Sequence, residues 1–187
     1  TTAVNQSLAP KDIAHAVIAK ITEIFSFDST RVFLFNDDTE ELELRASFEV
    51  DPKYKTRVRT FKLGQGVIGS VAASGEPMIF EDIRTDLRYA ALSTTKATRN
   101  ADLSFFAVFP IKTHSRIFGA ILFNAHSPRK LTSDEIRLLT SMSEQLAVAV
   151  EKAGLFRQSE RRSQQLSVLN TIGTAVSQSL DLDVVLK

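Results

Sequence analysis

The stretch that decides the fold is Phe61-Lys-Leu-Gly-Gln-Gly-Val-Ile-Gly-Ser-Val-Ala-Ala-Ser-Gly-Glu-Pro-Met-Ile-Phe-Glu-Asp82. Its Gly64 and Gly66 permit a tight turn, because glycine adopts backbone conformations that other residues avoid. The apolar residues after this turn predict a short helix that ends at Ser74-Gly75. Pro77-Met-Ile-Phe80 then predicts a short strand. The stretch therefore indicates a domain in which helices and strands pack together.

Upstream of this stretch, the apolar residues predict a helix and then a hairpin. They recur at helical spacing from Ile13 to Ile24, and the run Arg31-Val-Phe-Leu-Phe35 is typical of a central strand covered on both faces. From residue 42 to residue 49, apolar and polar residues alternate, which predicts a second strand with one wet face. The side chains expected on that wet face are Glu43, Arg45, Ser47 and Glu49. A third strand is predicted over residues 57–63.

Downstream, a polar crossover over residues 81–102 leads to two further strands. Phe105–Ile111 and Ile117–Phe123 are apolar runs separated by a short polar segment, which predicts another hairpin. A helix follows, with Thr132 or Ser133 as its N-cap.

The last helix is predicted to continue beyond the domain that it leaves. The apolar residues assigned to its dimer-forming stripe are Leu139, Met142, Leu146, Ala149, Val150, Leu166 and Leu169. The alternatives are that the stripe covers the sheet of its own domain, or that Ile136 to Val150 faces inward and only the later part is paired. Near the end of the chain, Gln178-Ser-Leu180 repeats Gln6-Ser-Leu8 ahead of a further apolar segment. We therefore divide the chain into a domain at residues 1–155 and, at residues 156–187, a helical linker with the start of a following domain.

The order of elements, together with the residues themselves, resembles the GAF family. The stretch quoted above is similar to that family's most recognisable segment, and Phe109-Pro-Ile and Phe118-Gly-Ala-Ile-Leu resemble its later hairpin. The resemblance implies an α+β fold with an antiparallel sheet flanked by helices, a ligand cavity on one face, and a long C-terminal signalling helix. GAF domains bind cyclic nucleotides, bilins, haem or metabolites, or no ligand. Tandem copies are common in sensor histidine kinases.

The composition narrows these possibilities. The chain has 187 residues and no cysteine, which excludes thiol nucleophiles, thiolate zinc sites and a covalently attached bilin. Lysine plus arginine (23) nearly balances aspartate plus glutamate (22), so no nucleic-acid partner is expected. Because no apolar run has the length of a membrane span, we expect a cytoplasmic domain without membrane contact. The histidines, His15, His114 and His126, lack metal-ligand spacing, and no metal is expected.

Two partial motifs have structural explanations that we favour. Cyclic-nucleotide members of the resembled family carry an Asn-Lys pair and a later Asp-Glu; here Asn124-Ala125 replaces the first, and Asp134-Glu135 follows at shorter spacing. Those carboxylates suit the first turn of a helix. Gly64-x-Gly66-x-x-Gly69 matches a dinucleotide fingerprint in isolation, but the strands around it read as hairpins and not as a parallel unit. A turn is the better interpretation.

The candidate ligand site combines an apolar wall with a few polar side chains, as small-molecule pockets do. The wall residues are Phe48, Phe61, Ile68, Phe80 and Phe106, and the polar contacts are Asp82, Tyr89, Thr95 and Arg99. The polar residues also have structural alternatives: a turn cap for Asp82, a core seal for Tyr89 and a surface charge for Arg99. No catalytic constellation is found, so we expect a small ligand held without a covalent bond.

The patterns and the resemblance favour a regulatory domain over an enzyme. We expect it to sense a small molecule in a signal-transduction protein, such as the sensor histidine kinase of a two-component system. The long helix is expected to pair with its copy in a homodimer and to relay the ligand state. The alternative is a ligand-free domain that serves as a spacer or as a dimerisation element.

Overall fold

A computed structural model describes residues 10–51, 58–93 and 103–185 of the chain. The elements in these residues are α1 (Pro10–Phe25), β1 (Ser29–Asn36), β2 (Glu41–Glu49), β3 (Thr60–Lys62), α2 (Gly66–Ser74), β4 (Met78–Phe80), α3 (Leu87–Leu92), β5 (Phe105–Lys112), β6 (Ile117–Ala125) and α4 (Ser133–Val185). The α+β class is confirmed. None of the helices described is both long enough and apolar enough to cross a membrane.

The six strands form one antiparallel sheet in the order β3-β2-β1-β6-β5-β4. Both predicted hairpins are present, since β1 pairs with β2 and β5 pairs with β6. The two hairpins meet where β1 pairs with β6. These two strands therefore occupy the centre of the sheet and have hydrogen-bonded neighbours on both sides.

Each face of the sheet has its own buried cluster. On one face, which we call the α4 face, residues of α1 and of the first turns of α4 pack with Phe27, Phe105 and Phe123. On the other, which we call the α2 face, residues of α2 and α3 pack with Phe33 and Phe106. β1 is buried from Ser29 to Phe33. The prediction that it is covered on both faces is confirmed.

A β-bulge reverses the alternation along β2. Val32 pairs with Ala46, whereas the next residue of β1, Phe33, pairs with Leu44, so Arg45 is an extra residue in β2. Leu44 packs on the α2 face and Ala46 on the α4 face. Because one extra residue turns every later side chain to the opposite face, the prediction of a single wet face along β2 is wrong beyond the bulge.

The glycine turn before α2 depends on conformations that favour glycine. Gly64 and Gly66 have φ angles of 77° and 62°. A Cβ on Gly69 would lie 2.2 Å from the carbonyl oxygen of Lys62. The N–H of Gly64 donates to the carbonyl of Gly69 at 2.9 Å, which closes the turn. The neighbouring strands are antiparallel, so the interpretation as a turn is supported over a dinucleotide fingerprint.

Helix α4 begins with a capping box. Thr132 Oγ1 accepts from the backbone N–H of Glu135 at 3.2 Å, and Glu135 Oε2 accepts from the backbone N–H of Thr132 at 2.8 Å. The hydrogen bond from Thr132 lowers the pKa of Glu135 below its ordinary value, and Arg129 acts in the same direction. Of the two predicted N-caps, the structure selects Thr132, and the first-turn role assigned to Glu135 is confirmed.

Part of the stripe predicted for the dimer is used inside the domain. Leu139 and Leu146 are buried in the cluster on the α4 face, and Met142 and Val150 pack against it. These four side chains cover the sheet, and the structure corrects their assignment to a dimer seam. Ala149 is exposed, as are Leu166 and Leu169.

The chain forms two compact units, one up to Val150 and the other from Glu151 onward. In the second unit the described residues are helical as far as Val185. That a further domain begins within residues 156–187 stays a prediction.

Candidate ligand-binding site

Five residues from five strands line up across the sheet. Neighbouring strands pair Glu49 with Ser29, Ser29 with Asn124, Asn124 with Phe106, and Phe106 with Phe80. Phe106 and Phe80 belong to the cluster on the α2 face. We call these five residues the cross-sheet row. Its end on β2 is polar, and its end on β4 is aromatic.

The polar end holds a buried ion pair. Arg31 lies two residues after Ser29 on β1, on the same side of the strand as Phe33 of the α2 face. Its Nε lies 3.2 Å from Glu49 Oε1, and the side chains are 8% and 10% exposed. Burial lowers the pKa of Arg31, while the charge of Glu49 opposes that shift. The pair keeps both charges compatible with an interior position.

Asn124, in the middle of the row, has an unused hydrogen-bond donor. Its Oδ1 accepts from Ser29 Oγ at 2.5 Å. The residue is 1% exposed, and its Nδ2 has no hydrogen-bond partner among the residues that the structure describes. An amide nitrogen carries two N–H groups, and leaving a buried donor unpaired costs about 1–3 kcal/mol. Such groups are rare in folded proteins and require an explanation.

The aromatic end of the row is covered by Tyr89 of α3. The Tyr89 ring contacts Phe80 and Phe106 edge to face, with centroids 5.4 and 5.2 Å away. Asp86 caps α3 by accepting from the backbone N–H of Arg88 at 2.9 Å. The guanidinium of Arg88 lies 5.3 Å from the centre of the Phe80 ring. The N-terminal cap of α3 therefore holds the helix that carries Tyr89 onto the row.

The structure brings together five of the nine residues predicted for the ligand site. Those that pack in or against the cluster on the α2 face are Phe61, Ile68, Phe80, Tyr89 and Phe106. Phe48 is 37% exposed, and alternation places it on the same side of β2 as Ala46, which packs on the α4 face. Its assignment to the cavity wall is corrected, and the cause is the β-bulge. Thr95 and Arg99 lie outside the described residues.

Asp82 has a local role in the turn after β4. Its carboxylate accepts from the backbone N–H of Arg84 at 3.0 Å and from the guanidinium at 2.8 and 2.7 Å. The hydrogen bond from the Arg84 side chain lowers the pKa of Asp82. These contacts match the structural alternative considered for this residue. A contact between Asp82 and a ligand stays a prediction.

Sequence reasoning missed the polar half of the row. Arg31 was absorbed into an apolar strand, and Glu49 was assigned to a wet face. Ser29 lies before the first predicted strand, and Asn124 is considered only as part of an incomplete nucleotide motif. The available signal was the arginine that opens a strand covered on both faces, because a charge buried there requires a counter-charge.

A separate groove of about 730 Å³ lies between the β5–β6 turn, the end of α2 and α4. Its cationic residues already have partners: Lys112 Nζ donates to the Gly75 carbonyl at 2.5 Å, and Arg116 pairs with Asp37 at 2.6 Å. His114 lines the groove and is exposed. Within the described ranges, no group of three or more His, Asp or Glu side chains is placed to hold a metal ion.

The sheet order, the helices on both of its faces and the glycine turn agree with a match to a family model. The model of the GAF domain matches residues 7–151. The chain belongs to the GAF family. A search of curated proteins found no match.

Solved structures of several other proteins share this fold. A GAF domain from a phosphoenolpyruvate-protein phosphotransferase of Coxiella burnetii has a TM-score of 0.69 at 19% identity and covers 83% of this chain and 90% of its own. A domain assigned to a two-component sensor histidine kinase of Sinorhizobium meliloti 1021 has a TM-score of 0.63 at 16% identity, with coverages of 84% and 99%. The free methionine-R-sulfoxide reductase of Neisseria meningitidis, solved with its substrate, has a TM-score of 0.64 at 16% identity, with coverages of 82% and 83%. At these identities the likeness shows the fold alone.

Replacing Arg31 tests the buried ion pair of the GAF domain. We expect Arg31→Met to lower the free energy of unfolding by about 3–5 kcal/mol at neutral pH, because the Glu49 carboxylate then stays buried without its counter-charge. Adding Glu49→Leu should restore most of that loss. Urea unfolding followed by circular dichroism measures both.

The control lies on β2, the strand that carries Glu49. Arg45 is half-exposed and pairs with Glu43 at 3.0 Å, and Arg45→Met should change stability by less than about 1 kcal/mol. Equal losses from Arg31→Met and Arg45→Met, or a double variant less stable than Arg31→Met, would contradict the role given to the pair.

Proposed function

We propose that this GAF domain is a sensory module that binds a small molecule non-covalently over the cross-sheet row. The observation that carries the proposal is the unpaired Nδ2 of Asn124, which is buried between an ion pair and an aromatic cluster. A site with a few directed polar groups beside an apolar wall is the usual composition of a ligand pocket. A ligand that accepts from Nδ2 removes the penalty of the unpaired donor.

The proposed role is regulatory and not enzymatic. The chain has no cysteine, so neither thiol chemistry nor a thioether to a chromophore is available to it. The charged residue of the row, Glu49, and its neighbour Arg31 neutralise each other. That arrangement suits holding a ligand better than moving a proton. A sensor histidine kinase is one parent that fits, because a domain of similar fold is assigned to such a kinase.

The sheet offers a physical route from the ligand to helix α4. Along β6, Asn124 lies on the α2 face, whereas Phe123 and Ala125 lie in the cluster that includes Leu139 and Leu146 of α4. A small shift of β6 would therefore also change the packing of α4 on the other face. The ligand changes the output only through different affinities for two arrangements of these residues.

Ligand binding is tested by native mass spectrometry and by thermal unfolding with a pool of small metabolites. We expect either a retained excess mass or an increase in Tm. At 100 times its Kd a ligand adds about 2.7 kcal/mol, which is roughly 5–10 °C for a domain of this size. Asn124→Leu should lose the effect, and Leu138→Ser, at a half-exposed residue of α4, should keep it.

A protein with no retained mass and no stabilisation by the pool would favour the alternative role of a ligand-free spacer. The same conclusion would follow if Asn124→Leu and Leu138→Ser responded alike to the pool. In that case any binding would not involve the row.

We propose further that the second unit pairs with its copy in a homodimer. Leu155, Leu166 and Leu169 are 62%, 55% and 63% exposed. Their separations of eleven and three positions follow the 3.5-residue repeat of a two-stranded coiled coil. Exposed leucines at this spacing are costly in isolation and are buried when two such helices pair. This set replaces the buried residues Leu139 and Leu146 of the predicted seam.

Sedimentation equilibrium tests the pairing. The double variant Leu166→Lys and Leu169→Lys should convert a dimer to a monomer, because four charges would face one another in the seam. Val168 is equally exposed at 58% but lies off the repeat, so Val168→Lys is the matched control and should remain dimeric. A double variant that sediments with the same dimeric mass as the parent protein would contradict the proposal.

A further inference from the structure

The chemistry of the cross-sheet row restricts the ligand that it accepts. The polar end brings one positive and one negative side chain, Arg31 and Glu49, held 3.2 Å apart and almost fully buried. Their charges cancel. A ligand with a net charge would enter a region of low dielectric where no unpaired charge of the row compensates it, and burying such a charge is strongly unfavourable.

The hydrogen bonds at Asn124 restrict the ligand further. Oδ1 already accepts a short hydrogen bond from Ser29 Oγ, whereas Nδ2 is buried and unpaired and acts only as a donor. The ligand atom that complements Nδ2 is therefore an acceptor. A carboxylate oxygen would accept, but its charge would be buried with only the neutral Arg31–Glu49 pair in the row beside it. An uncharged carbonyl oxygen accepts without that cost.

The next residue of the row sets the shape of the remainder of the ligand. Phe106 pairs with Asn124 across β5 and β6, and its ring contacts Tyr89 edge to face. A flat, apolar ring bonded to the carbonyl group would reach this aromatic end while the carbonyl oxygen reaches Nδ2. Aromatic pairs of this kind add to the free energy gained from burying the two rings.

We propose that the ligand of this domain, if it binds over the row as proposed above, is an uncharged ring compound with a carbonyl oxygen that accepts from Asn124 Nδ2. Aromatic amides and lactams are the chemical class. Acids and amines of the same shape are disfavoured because their net charge would be buried beside an ion pair that is already neutral. An ammonium group also offers no acceptor to Asn124 Nδ2.

Three probes of equal size and different charge test the class: benzamide, benzoate and benzylamine. Each is titrated at pH 7 into the whole chain labelled with ¹⁵N, and the Asn124 side-chain amide signals are followed. We expect benzamide to shift these signals and to bind at least about tenfold more tightly than the two charged probes. Asn124→Leu should weaken benzamide binding by about tenfold or more, and Leu138→Ser should leave it unchanged.

The outcomes separate this inference from the proposed sensor function. Benzoate or benzylamine that binds as tightly as benzamide overturns the class and leaves the sensor function standing. An Asn124→Leu variant that binds benzamide with full affinity also overturns the ligand class. If that variant does not fold, the comparison of the three probes on the parent chain tests the ligand class by itself. If no probe binds while the metabolite pool still stabilises the protein, the class is wrong and the sensor function remains. If no probe binds and the metabolite pool does not stabilise the protein, the ligand class and the sensor function are both contradicted.

Discussion

The central strands β1 and β6 are covered on both faces, and this constraint governs the chemistry of the site. Water does not reach the side chains of residues 29–33 and 119–125, so each polar group there must have a partner inside the protein. Arg31 finds Glu49, and Ser29 finds Asn124. Only Nδ2 of Asn124 is left with nothing to bond among the buried side-chain atoms that the structure describes. At the candidate site, the described residues leave this requirement unmet.

The β-bulge in β2 makes the polar end of the row possible. If residues 42–49 kept the strict period of two, Glu49 would lie on the side opposite to Leu42 and Leu44. With the bulge at Arg45, Glu49 and Leu44 both lie on the α2 face, and Phe48 lies on the other side. The bulge thereby places a carboxylate, and not an aromatic side chain, next to Arg31. A bulge beside a functional site is a recurring feature of β-sheets.

The elements were predictable from the sequence because their signals are local. The glycine turn, the two hairpins and the Thr132 cap each depend on a few neighbouring residues. Placement across the sheet was not predictable in the same way, since the row joins residues 29, 49, 80, 106 and 124, and no local pattern specifies their register. The bulge also leaves no signal in the sequence, because apolar and polar residues alternate without a break from residue 42 to residue 49. Helix periodicity alone likewise did not tell Leu139, which covers the sheet, from Leu166, which is exposed.

The most direct test is a crystal structure of the chain purified under gentle conditions. The decisive observation is the electron density around Asn124. Our account predicts electron density for a small molecule over the row, with an acceptor atom about 2.7–3.2 Å from Asn124 Nδ2. An Asn124 amide whose nitrogen is hydrogen-bonded to the protein's own side chains, with no molecule over the row, would contradict it.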